Sequence, residues 1–120
     1  MGNFSDLIAY KKAFSLAMKI FEISKLFPAE EKYALTDQIR RSSRSVCANL
    51  AESYQRKKYK NHFFSKLNDV ESENAKTQVW LDFAYKCSYI SSSKYQELSD
   101  ENNEIGKLTW YMLNNAEKFL

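Results

Sequence analysis

Two glycines and one proline in 120 residues leave this chain almost no turn chemistry. Tight turns and hairpins draw on glycine for positive φ and on proline for a pre-set φ, so a chain poor in both must spend its length in long helices. The apolar pattern agrees. Phe63, Leu67, Val70, Asn74, Thr77, Leu81 and Ala84 recur at three and four, as do Leu98, Asn102, Ile105, Thr109, Met112, Ala116 and Phe119. That period marks one helix face buried against neighbours. With 44% hydrophobic and 28% charged residues the composition is globular, not disordered. The length suits a single domain over 1–120, able to bury roughly two-thirds of its unfolded surface.

Start and stop signals place helices over roughly 5–26, 31–56, 60–87 and 91–119. Ser5 or Asp6 can cap the first, and Pro28 ends it by disfavouring helix in the residue before it. Glu30 and Glu31 suit the positive end of the second. No breaker closes that helix near Tyr54 to Lys58. Ser91 is a good N-cap for the fourth helix, and Ile90 with Tyr95 has the spacing of a hydrophobic staple. Short links between four long helices imply an all-α, antiparallel, up-down-up-down four-helix bundle, with a three-helix arrangement carrying a long swapped arm as the alternative.

Two helices carry more apolar surface than one core needs. Helix one has a stripe of Leu7, Tyr10, Phe14, Ala17 and Phe21 beside a second of Ala13, Leu16, Ile20 and Ile23, and helix four is apolar on several sides through Leu108, Trp110, Tyr111 and Leu113. Burial from two directions predicts subunit contacts, with Leu16 and Tyr111 among the residues in them. The polar centre of helix three, Asn74 and Thr77, either meets its equivalents in an oligomer or sits near a wet bundle end.

Charge is segregated. From Arg40 to Lys60 seven basic residues face one acid, Glu52, whereas from Asp69 to Glu104 eight acids face three lysines, although the net charge is only +3. On a helical projection Arg40, Arg41 and Arg44 lie nearly opposite Leu35, Ile39, Val46 and Leu50, giving an amphipathic helix with a cationic back. Arg40, Arg41, Arg44, Arg56, Lys57, Lys58 and Lys60 are therefore the candidate nucleic-acid-binding residues, holding phosphates without reading sequence. Tyr54, Tyr59, His62, Phe63 and Phe64 interleave with the last of these cations, as stacking groups or as ordinary helix-three packing. Asp37 is four residues before Arg41, the spacing of a helix ion pair. Asn49 and Glu52, three apart beside the basic arc, are read as structural groups that order arginines.

The same stretch carries a family likeness. Tyr33-Ala34-Leu35-Thr36, Gln38-Ile39-Arg40-Arg41 and Asn49-Leu50-Ala51-Glu52, with Phe4-Ser5-Asp6-Leu7, Phe27-Pro28 and Tyr89-Ile90-Ser91, resemble the signatures of the four-helix-bundle proteins encoded in intervening sequences of large-subunit ribosomal RNA genes. Where that family carries glycine this chain has Ala34, Ser53, Ser72 and Ser88, and Lys76 and Gln78 replace acids expected in helix three. The family is similar in fold to the accessory variability determinant of diversity-generating retroelements. That likeness implies a homopentamer that binds RNA or DNA and a reverse transcriptase.

Catalytic and metal chemistry has little to stand on. His62, the one histidine, has no Cys, Ser or acidic companion at catalytic spacing, and glycine only at positions 2 and 106 cannot build a phosphate-cradling loop. The Glu-x-x-His pattern of diiron bundles is absent, and no cofactor is expected. Cys47 and Cys87 lack metal or disulfide spacing and read as reduced, buried thiols of a cytoplasmic protein. The Met1-Gly2 start has neither a secretory n-region nor, with Asp6, a myristoylation pattern. No run approaches the roughly 20 apolar residues of a membrane span. The residues thus predict a non-enzymatic, self-assembling bundle with a basic surface, an accessory protein for nucleic acid. The alternative is a protein-interaction scaffold whose charges serve self-assembly or docking of a partner.

Overall fold

A computed structural model describes residues 2–120; Met1, half of the Met1-Gly2 start, lies outside the described residues. Four helices, α1 (Ile8–Ser24), α2 (Leu35–Gln55), α3 (Lys60–Lys86) and α4 (Ser92–Asn114), account for most of the chain. Each packs against its two ring neighbours, and neither diagonal pair comes close. Cross-helix contacts fix the directions. Glu52 meets Lys66 while Ser42 meets Thr77, and Lys12 meets Glu104 while Lys19 meets Glu97, so residue numbers rise on one helix as they fall on the next. The result is the antiparallel four-helix bundle the periodicity predicts, 44 × 25 × 21 Å.

The core is apolar for most of its length, with a cross-helix polar cluster at its waist. Ile20, Ile39, Leu50, Phe63, Leu67, Leu81, Leu98 and Ile105 are almost wholly buried. Between them the Thr77 hydroxyl lies 2.8 Å from that of Ser42 and 2.9 Å from the Glu73 carbonyl. Asn74 donates to the Asn102 backbone and side-chain oxygens at 3.0 and 2.8 Å, and Asn102 donates back to the Asn74 carbonyl at 3.1 Å. Asn74 and Thr77 therefore find partners inside the chain, across α2 and α4, instead of in another subunit or at a wet end. Buried polar groups cost little when they are paired in this way.

Short 3₁₀ turns trim the predicted helices. Asn3 and Asp6 form a reciprocal capping box around Phe4–Asp6, after which Leu7 turns extended and α1 begins at Ile8. Ser5 and Asp6 are thus not its caps. A second turn, Ala29–Glu31, follows Pro28, so α2 starts only at Leu35. Glu31 still serves that helix end: one carboxylate oxygen accepts from the Leu35 N–H at 3.4 Å, the other from the Tyr89 hydroxyl at 2.8 Å. α4 stops at Asn114, five residues short of the periodic pattern's last member, Phe119. There Asn114 and Asn115 donate to the Trp110 and Tyr111 carbonyls, competing with the backbone ladder. Among the described residues no helix is long and apolar enough to cross a membrane.

Candidate nucleic-acid interface

The α2 sequence puts its small and apolar residues on the bundle seam and its arginines outside it, because buried Leu35, Ile39, Ser42, Ser43, Val46, Leu50 and Ser53 repeat at helical spacing. Arg40, Arg41 and Arg44 then line an open groove of about 810 Å³, joined by Lys32 and by Lys76 from α3. The other four candidates, Arg56, Lys57, Lys58 and Lys60, gather at the α2–α3 turn, about 18 Å further along the helix axis. One stretch of sequence is therefore two basic patches in space.

Within the first patch Phe21 of α1 is the organising ring. The Arg40 guanidinium lies 4.8 Å from its centroid, Arg44 5.5 Å and the Lys25 ammonium 4.7 Å. Arg40 also donates from Nε to the Ser24 hydroxyl at 2.8 Å. An aromatic face holds cations without cancelling their charge. Two carboxylates, Asp37 and Glu73, line the first patch, and Glu73 pairs with Lys76 at 3.0 Å. Arg41 pairs with Asp37 at 3.0 Å, as the spacing predicts, whereas Arg40, Arg44, Arg56, Lys57, Lys58 and Lys60 form no ion pair among the described residues. Lysines elsewhere do pair: Lys19 bonds Glu101 at 2.6 Å, which raises its own pKa, and lysine partners lower that of Glu97.

Several expected roles change. Asn49 and Glu52 do not order arginines: Asn49 donates to the Ser45 carbonyl at 3.0 Å, and Glu52 faces Lys66 at 3.6 Å. Phe63 is fully buried core and Phe64 packs edge-on against it, their centroids 5.6 Å apart, which leaves Tyr59 and His62 as the exposed rings of the turn. Leu16 belongs to the core, while Phe14, Met18 and Trp110 are 52%, 48% and 60% exposed. Cys87 is exposed, not buried. Cys47 is buried, and burial pushes its thiol up to about 11.

Sequence reasoning missed Phe21, Lys32 and Lys76 as parts of the first patch. Lys76 carried a signal, since it stands where the family resemblance expects an acid. Phe21 reads only as apolar: Lys25, four residues on, lies within helical reach of it, but its two guanidinium partners, Arg40 and Arg44, come from α2.

Fold and surface together define a small antiparallel helical bundle whose cations are segregated and mostly unneutralised. The chain belongs to the 23S rRNA-intervening sequence protein family, which matches it over residues 5–110. Among solved structures it is similar to a protein of unknown function from the S23 ribosomal protein family of Bacteroides thetaiotaomicron. That likeness has 28% sequence identity and a TM-score of 0.82, covering 90% of this chain and 96% of the other. No curated protein matches the chain.

Proposed function

We propose that this protein is a non-enzymatic, self-assembling bundle that holds RNA or DNA by its phosphates, with Arg40, Arg41, Arg44, Arg56, Lys57, Lys58 and Lys60 as the contact groups. The observation that carries the reading is the pattern of ion pairing. Lys12 and Lys19 bridge α1 to glutamates of α4, yet six of the seven candidate cations have no carboxylate partner among the described residues. Unpaired surface cations in two patches set up a positive potential that attracts a polyanion. Membership of a family named for ribosomal RNA intervening sequences points the same way. A homopentamer would multiply a weak contact into useful avidity.

Phosphate binding releases counterions, so affinity should fall steeply as salt rises, by a log–log slope near one for each phosphate neutralised. Titrating wild type and an Arg56→Glu/Lys57→Glu/Lys58→Glu variant against single- and double-stranded RNA and DNA tests this. The variant should bind every sequence more weakly by similar factors and keep its helical circular dichroism. If neither protein binds any of the four at low salt, or both bind equally, the scaffold reading replaces this one. The exposed Phe14, Met18 and Trp110 side chains are the observation favouring that alternative.

A further inference from the structure

We infer that the α2–α3 turn is a stacking platform for single-stranded nucleic acid, on which an unpaired base lies against Tyr59 and His62 while the surrounding cations hold its phosphates. This rests on the nucleic-acid reading above and narrows it, from any phosphate backbone to a strand whose bases are free. The turn divides its aromatic residues by burial. Phe63 and Phe64 are committed to the core, but Tyr59 is 51% exposed and His62, one turn further on, is exposed as well. Their centroids are 6.0 Å apart with the rings inclined at 53°, two sides of an open corner.

Cations frame that corner at the reach of a nucleotide's phosphates. Lys58 Nζ lies 5.3 Å from the Tyr59 centroid, and Lys57 Nζ lies 4.0 Å over Tyr54. Arg56 and Lys60 flank them, and none of the four has a carboxylate partner among the described residues. An exposed ring beside unpaired cations matches a base and its phosphate at once. A duplex keeps its base faces stacked inside and can use only the cations. The Arg40–Arg44 patch differs, because its ring, Phe21, is half-buried and already has three cations within 5.5 Å of its centroid.

The test compares three probes at one low salt concentration by fluorescence anisotropy: a pyrimidine single strand, an abasic strand of equal length and charge, and a duplex. Wild type should bind the base-bearing strand roughly tenfold tighter than the abasic one, the effect of about one stacked base. Tyr59→Leu/His62→Leu should bring the base-bearing strand down to the abasic level and leave abasic and duplex binding unchanged. Tyr59→Phe, which keeps the ring, should retain the preference. Equal, salt-sensitive binding of all three probes by wild type would overturn the stacking inference and leave the phosphate reading standing. Binding of none would remove both. A double variant that melts as wild type does but loses all three probes alike would also overturn stacking.

Discussion

Ser88 is the one described non-glycine residue with positive φ, at 63°. It follows Lys86 and Cys87 at the end of α3, where the Tyr89 N–H bonds to the Ala84 carbonyl at 2.8 Å and the Ser88 N–H to Tyr85 at 2.9 Å. These are the two bonds of a Schellman cap, whose left-handed position favours glycine. A Cβ there costs about 1–2 kcal/mol, and glycine gives part of that back through a freer unfolded chain. Ser88→Gly should therefore stabilise the bundle by about 0.5–1 kcal/mol, raising Tm by about 3 °C in a thermal melt. An unchanged or lower Tm would show that the serine is not strained. The two thiols should also part company. Cys47, buried and raised from 9.0 to about 11, should resist iodoacetamide at pH 8 while exposed Cys87 reacts, so mass spectrometry should find one adduct on the native protein and two after denaturation. The sign for stability follows: the unfolded thiol loses its proton first, so the Cys47 contribution is intact below about pH 9 and is lost as pH rises towards about 11.

Among the helices, α4 has the start that local sequence specifies most fully. Ser91 accepts from the Lys94 N–H at 3.1 Å, and the staple residues Ile90 and Tyr95 both pack on the core. Ser91→Ala should cost about 1 kcal/mol in denaturant unfolding with no change in m-value; a cost below a few tenths would mean the staple alone fixes this end. At α1 and α2 the same kind of signal put the helix start too early, although Glu31 does accept from the Leu35 N–H. Asn3 and Asp6, and separately Pro28 to Glu31, close 3₁₀ turns of their own, so acids suited to a helix start sit one turn before it. Capping residues identify an end, but which backbone groups they satisfy depends on where the chain must enter the bundle.

At the scale of the molecule, helix one's double stripe resolves into a core face and an open one. Ala9, Ala13, Leu16, Ala17 and Ile20 are buried, whereas Phe14 and Met18 stand exposed beside an apolar groove against α2. If that face is covered by other copies, wild type should scatter light as a multiple of its 14.1 kDa chain, and Phe14→Asp should shift it towards monomer while remaining helical. Wild type that is monomeric at micromolar concentration would end the self-assembly proposal. Sequence by itself determined the helices, the antiparallel order and the presence of seven cations in one stretch, because periodicity, the shortage of turn residues and the spacing of links are local properties. Only the tertiary structure decided that those cations form two patches, that Asn74 and Thr77 are paired within the chain, and that Phe21 gathers charges from α1 and α2. Each of these depends on which residue of one helix comes level with which residue of another. That register is set by the packing of the whole core, and no single helix encodes it.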